Sequence, residues 1–128
     1  MGCGTGVLAI LARLKHANRV LAVDIDEWAY ENTFENIKRN NVSVDVKKGG
    51  SEVLLNEQFD LILANINRNI LMKDMESYCN ALKHGGSILL SGFFNSDKEI
   101  LLNEIKKYGL KLLYSTNKND WTLLHVTR

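Results

Sequence analysis

Glycine occupies positions 2, 4 and 6 in the run Gly2-Cys3-Gly4-Thr5-Gly6, and an aspartate, Asp24, closes the next apolar segment. Those residue types in that order suit one kind of chemistry. With no Cβ in the way, alternate glycines let backbone N–H groups approach a ligand closely. A helix starting directly after the loop adds the positive end of its dipole. An acid at the end of the following strand stands at about the separation from which a carboxylate reaches a bound ribose, accepting from its 2′ and 3′ hydroxyls together. The spacing is GxGxG, whereas a dinucleotide fingerprint needs its third glycine where this chain has Val7. NAD is therefore not expected to compete for the loop. A glycine turn alone is common; loop and acid together favour a nucleoside. The other role open to Asp24 is to start a helix, which Asp26 fills better.

The elements that must position these residues follow from the apolar pattern. Short apolar runs alternate with helical segments, the signature of a doubly wound, mostly parallel α/β sheet. Val7, Leu11 and Leu14 recur at helical spacing, so the loop runs into a first helix. Arg19 to Asp24 reads as a buried strand, and Asp26 caps a helix through Asn40 with Ala29, Thr33, Asn36 and Ile37 near one face. Val42 to Lys47 is a shorter strand nearer an edge. "FDLILANI" is apolar enough to be covered on both faces. The stripe Leu71, Met75, Tyr78 and Leu82 marks a helix expected to stop at Gly85-Gly86, and "SILLSGFF" is the next strand. Ser96 and Glu99 form a candidate capping box for a helix carrying Leu101, Ile105 and Tyr108 and ended by Gly109. The tail reads as an antiparallel hairpin turning at Asn117 to Asp120.

Composition excludes several classes. A net charge of +1 argues against a nucleic-acid surface, and the lysine and arginine pairs are scattered. Cys3 and Cys79 lack CxxC spacing, and the three histidines lack metal-ligand spacing, so neither a disulfide framework nor a metal site is expected. The default setting is a reducing cytoplasm. No apolar run approaches the roughly 18 residues of a membrane span. At 128 residues the chain fits a single domain, residues 1–128.

The runs "GCGTGVLAI", "AVDID" and "LILANI", with Ala29, Thr33, Asn36 and Asn40 spaced along a helix, resemble class I S-adenosylmethionine-dependent methyltransferases. "ANINRNIL", "GGSILLSGFF" and "DWTLLHVTR" narrow the resemblance to the catalytic domain of the ribosomal protein L11 methyltransferases, in order from residue 2 to residue 128. The resemblance implies that S-adenosyl-L-methionine is the cofactor and a protein of the large ribosomal subunit the substrate. Neither direct nucleic-acid binding nor a membrane partner is implied. Gly2, Gly4 and Gly6 would contact the methionine moiety, with the Thr5 hydroxyl beside them. Asp24 would take the ribose, and Ile25 would wall the adenine. Ser51, after Gly49-Gly50, is a candidate at the adenine edge or simply part of a turn.

Asn65 ends the fourth strand of that family fold, where many amino-group methyltransferases carry Asn or Asp before two prolines; here Ile66-Asn67-Arg68 follows. Its side-chain carbonyl would accept a hydrogen bond from the substrate amine, and the residue would also border the cofactor. The alternative is a cap for the next helix, a role also open to Asn67. Trp28 would border the cofactor or be partly buried in the core, and Trp121 would anchor the last strand. Other acceptors, another protein or a small molecule, remain open, as does a fragment that at most binds the cofactor.

In the family the first strand and a substrate-gripping domain precede the glycine loop. On that basis Met1 reads as an internal methionine, and residues 1–128 as a fragment lacking the first strand. Buried unsatisfied groups cost roughly 1–3 kcal/mol each against a stability of about 5–15 kcal/mol. Such a fragment is expected to be marginally stable or self-associating, to bind cofactor weakly, and to be inactive alone.

Overall fold

A computed structural model describes all 128 residues. The chain divides into two compact units, Met1–Val53 and Leu54–Arg128.

In the first unit the glycine loop runs into α1 (Val7–Leu14), followed by β1 (Leu21–Asp24), α2 (Glu27–Arg39) and β2 (Asp45–Lys48). β1 and β2 pair in parallel, with Leu21 opposite Asp45 and Asp24 opposite Lys48. A parallel pair joined by a helix brings both strand C-termini to the same end. The ends of α2 follow its sequence. Asp26 is extended (φ −81°, ψ 130°) and its side chain accepts from the Ala29 N–H, while Lys38 and Arg39 occupy the last turn. Ala29, Thr33 and Ile37 are buried at four-residue spacing. In α1 the stripe Val7, Leu11 and Leu14 is exposed and Ile10 is the buried residue. Gly6 sets this rotation: it is buried, and the Ile10 N–H bonds back to its carbonyl, so position i+4 follows it inward.

The second unit contains β3 (Phe59–Asn65), α3 (Arg68–Ala81), β4 (Leu82–Phe94), α4 (Lys98–Lys107), β5 (Lys111–Lys118) and β6 (Trp121–Thr127). Its sheet has the order β3-β4-β6-β5. β3 and β4 are parallel, and β6 is antiparallel to both β4 and β5. The α/β class and the closing antiparallel hairpin are those the sequence predicts, and within this sheet parallel and antiparallel pairs are mixed. Asn119 (φ 48°) and Asp120 (φ 67°) both adopt the left-handed conformation that a two-residue type I′ turn requires. Leu71, Met75 and Tyr78 of α3, Ile88 and Leu90 of β4, Leu101 and Ile105 of α4, and Leu124 and Val126 of β6 are fully buried.

Three local expectations fail for identifiable reasons. β3 is not covered on both faces: Ile62 and Ala64 are buried but Leu61 is 48% exposed, as suits a strand at the edge of its sheet. α3 ends at Ala81 rather than at Gly85-Gly86, because Leu82 turns extended (φ −93°, ψ 126°) and pairs with Phe59. Arg128 takes the place of a glycine cap, donating from Nη1 to Cys79 O (2.7 Å) and Leu82 O (3.1 Å). The Ser96–Glu99 capping box does not form. Residues Asn95–Asp97 make a 3₁₀ turn leading into α4, Asp97 makes no side-chain cap bond, and its carboxylate pairs with Arg68 at 2.9 Å. No helix is long and apolar enough to cross a membrane.

Candidate functional site

The first unit gathers the glycine loop at the C-terminal end of its strand pair. Asp24 Oδ2 accepts from the Gly4 N–H at 2.9 Å, and Oδ1 accepts from the Asp26 N–H at 3.1 Å. The predicted ribose ligand is thus bonded to the predicted cofactor loop, and each oxygen retains a further lone pair. The Cys3 N–H donates to Val23 O (3.0 Å) and the Gly6 N–H to Cys3 O (2.8 Å), so the loop is a closed turn hung on β1. From α2, Thr33 Oγ1 donates to Gly4 O (3.0 Å) and Asn36 Nδ2 to Thr5 O (2.9 Å). Sequence reasoning placed Thr33 and Asn36 on a helix face and missed these bonds; the signal was a polar pair beside an apolar stripe.

Gly4 (φ 56°) and Gly6 (φ 81°) are both left-handed, but they face different surroundings. A Cβ on Gly6 would lie 2.8 Å from Thr33 Cγ2, whereas a Cβ on Gly4 would meet nothing within 4 Å. One side of the loop is therefore packed and the other open. Gly2 is also left-handed (φ 63°), and the Thr5 side chain is exposed. The Gly49 N–H donates to Asp24 O at 2.8 Å, which brings the segment preceding Ser51 to the same strand end. Ser51 opens a 3₁₀ turn, Ser51–Leu54. Ile25, beside Asp24, is 75% exposed. Trp28 is 62% exposed instead of partly buried in the core, since it lies off the Ala29–Thr33–Ile37 face of α2. Burial raises the Cys3 thiol above its ordinary pKa, with the Thr33 hydrogen bond opposing, so it is no ready nucleophile. A carboxylate with spare acceptors, an exposed isoleucine and a loop face free of Cβ atoms fit an adenosine-bearing cofactor.

The second unit carries Asn65 at the C-terminal end of β3, opposite Ser91 of β4. The helix-cap alternative belongs to Asn67: its backbone is extended (φ −62°, ψ 156°), and Oδ1 accepts from the Ile70 N–H at 3.2 Å. Asn65 itself is exposed. Gly92 is left-handed (φ 88°), and a Cβ there would come within 2.7 Å of Ile66 N and 2.9 Å of Asn65 Oδ1. It lies where the β4–β6 register slips, between Leu90 and Phe93. Sequence reasoning missed Gly92, whose only signal is a lone glycine inside an apolar strand.

An open groove of about 640 Å³ is lined by Asn65, Ile66, Asn67, Ser91 and Gly92, with Lys118 and Trp121 among the β5 and β6 side chains. Trp121 also stacks on Phe94, ring centroids 4.4 Å apart, as an anchor of the last strand would. Lys118 is the only charged residue of the lining, which includes no carboxylate.

Comparison with known proteins decides the family. A family model described as ribosomal protein L11 methyltransferase matches residues 1–128. The chain belongs to this family. It is 47% identical to the ribosomal protein L11 methyltransferase of Porphyromonas gingivalis, over 99% of this chain and 44% of the relative. With the ribosomal protein L11 methyltransferase of Bacteroides thetaiotaomicron it shares 42% identity, over 99% of this chain and 46% of the relative. The chain thus spans somewhat less than half the length of these curated relatives. Among solved structures it superposes on a ribosomal protein L11 methylase from Lactobacillus delbrueckii subsp. bulgaricus with a TM-score of 0.95. That match is 26% identical and covers 99% of this chain and 67% of the other.

Proposed function

We propose that residues 1–128 belong to the methyltransferase domain of an S-adenosylmethionine-dependent enzyme that transfers methyl groups to amino groups of ribosomal protein L11. The acceptors are lysine side chains, the N-terminal amine, or both. The observation that carries this reading is the Gly4 N–H to Asp24 bond of 2.9 Å. It joins the glycine loop and the acid at the C-terminal end of a parallel strand pair, where open α/β sheets bind their ligands. Family membership supplies the acceptor. Two free cysteines suit a cytoplasmic setting.

Each residue has a defined task. The backbone of Gly2, Gly4 and Gly6 and the Thr5 hydroxyl hold the methionine portion of the cofactor. Asp24 accepts from the ribose hydroxyls, Ile25 lies against the adenine, and Ser51 stands at the adenine edge. The bound sulfonium supplies a methyl group that is already activated. What remains for the protein is to present a neutral amine. A lysine amine has an unperturbed pKa of about 10.4 and must lose a proton first. With no carboxylate in the groove, that proton leaves to water, and Lys118 further disfavours a second cation there. The Asn65 side-chain carbonyl accepts a hydrogen bond from the neutral amine and aims its lone pair.

Calorimetry and methyl-transfer assays on the intact protein test these roles. Asp24→Ala is expected to weaken S-adenosylmethionine binding by about 1–3 kcal/mol, the scale for hydrogen bonds to a charged group. Asn65→Ala should lower turnover while cofactor affinity stays within a few-fold. Unchanged affinity in a folded Asp24 variant removes the ribose assignment. Parental turnover in the Asn65 variant removes the amine-aiming role.

A further inference from the structure

The helix α2 that follows Asp24 has one face that packs and one pair of side chains spent on the glycine loop. We propose that Thr33 and Asn36 are positioning residues for cofactor binding, fixing the direction in which the loop presents its backbone donors. This rests on the reading that the loop holds S-adenosylmethionine.

A peptide unit is planar and trans, so its C=O and N–H point in opposite directions. Thr33 Oγ1 donates to Gly4 O at 3.0 Å, which fixes the plane shared with the Thr5 N–H. Asn36 Nδ2 donates to Thr5 O at 2.9 Å, which fixes the plane shared with the Gly6 N–H. The Gly6 N–H is already committed to Cys3 O at 2.8 Å. The Thr5 N–H, by contrast, is aimed away from the helix by the Thr33 bond. Between two left-handed glycines no regular secondary structure would otherwise set that plane, because glycine moves readily between backbone regions.

Thr33 is an unusual residue for its place. It is fully buried on the same stripe as Ala29 and Ile37, where a valine would fill the space equally well. A buried hydroxyl is costly unless it is bonded, and this one is bonded only to the loop, to Gly4 O and to Cys3 Sγ at 3.3 Å. Its methyl group packs closely on Gly6, where a Cβ would fall 2.8 Å from Cγ2. Asn36 stands three residues on, the spacing that puts two side chains on one helix face. The bonds from Gly4 to Asp24 and from Cys3 to Val23 hold the loop by its N–H groups. Thr33 and Asn36 hold it by its carbonyls.

The test compares Thr33→Val, which keeps the shape and removes the hydroxyl, with Thr33→Ser, which does the reverse, and with Asn36→Ala. Each is measured in the intact protein by S-adenosylmethionine calorimetry, initial-rate kinetics and melting. Thr33→Val and Asn36→Ala are expected to raise the cofactor Kd and KM five- to twentyfold. The KM for the protein substrate and kcat at saturating cofactor should stay within twofold. Thr33→Ser should restore cofactor affinity to within twofold of the parent, whatever its melting temperature, so that affinity follows the hydroxyl and not stability. A Thr33→Val protein that binds within twofold, a Thr33→Ser protein as weak as Thr33→Val, or equal movement of both KM values overturns the proposal. Asp24→Ala run alongside separates the two readings. If it too binds normally, the cofactor site itself is misplaced; if it alone loses affinity, only the role of Thr33 and Asn36 falls.

Discussion

Gly92→Ala puts a single methyl group where two backbone atoms and a proposed catalytic side chain already sit. Two costs add. An L-residue held at φ 88° costs roughly 1–2 kcal/mol. The new Cβ would then stand 2.7 Å from Ile66 N and 2.9 Å from both Ile66 O and Asn65 Oδ1. Overpacking of that kind costs typically about 1–3 kcal/mol, and backbone cannot swing aside as a long side chain can. The sum is about 2–5 kcal/mol if the Asn65–Ile66 segment stays in place. If the segment yields, less stability is lost but Asn65 moves, and a displacement of about 1 Å near the chemistry can cost up to about a hundredfold in rate. Urea unfolding therefore goes with methyl transfer at saturating cofactor and with cofactor calorimetry. The expected result is a loss of at least about 2 kcal/mol, or a rate lowered at least tenfold, with cofactor affinity unchanged within twofold. Gly85→Ala is the control: φ is 76° there, but a Cβ would meet nothing within 4 Å, so only the backbone cost applies. A Gly92→Ala protein with parental stability and parental rate would refute the reasoning.

Two buried groups and one half-buried thiol predict alkaline sensitivity. Burial raises the Cys3, Cys79 and Tyr78 pKa values, and for Tyr78 the nearby Asp74 adds to it. Because the folded values exceed the unfolded ones, stability is complete below the unfolded values, near 8.5 for thiols and 10 for tyrosine, and falls as pH rises past them. The urea midpoint at pH 10.5 should lie below that at pH 7.5, and equal midpoints would contradict the burial of these groups. Arg128→Ala removes its bonds to the last turn of α3 and to the first residue of β4 and should cost about 1–2 kcal/mol by urea unfolding. Asn67→Ala should cost about 0.5–2 kcal/mol as the loss of a helix cap, without changing cofactor affinity.

Much of the fold was legible because local signals agree with it. Asp26 and Asn40 bracket α2 as their side chains require, and the polar run Asn117 to Asp120 turns the final hairpin. What escaped depends on partners distant in sequence. The end of α3 is decided by the pairing of Leu82 with Phe59 and capped by Arg128, 46 residues beyond Leu82, and at the start of α4 the carboxylate of Asp97 is taken by Arg68. In the candidate site, the glycines, Asp24 and Asn65 announce themselves by type and spacing. Gly92 and Thr33 do not, since one reads as a weakness in a strand and the other as a helix-face residue. Their importance lies in what faces them: Ile66 and Asn65 for Gly92, and Gly4 and Gly6 for Thr33.

The strand order β3-β4-β6-β5 has a consequence for synthesis. β6 follows every other strand in the chain, yet it lies between β4 and β5 and is bonded to both. A polypeptide emerging from the ribosome in order therefore cannot close this sheet early. β4 presents one edge, flanked by the apolar side chains of Ile88 and Leu90, until residues 121–127 have left the exit tunnel. An open apolar strand edge is a template for pairing with another chain, and such intermediates are most exposed to aggregation while folding waits on translation. The two-residue turn at Asn119-Asp120 shortens that interval, because β5 delivers β6 to its slot as half of a hairpin already formed. Ribosome-bound chains with β4 emerged but residues 121–127 still inside the tunnel should accordingly stay protease-sensitive in β4, and chains in which residues 121–127 have emerged should not.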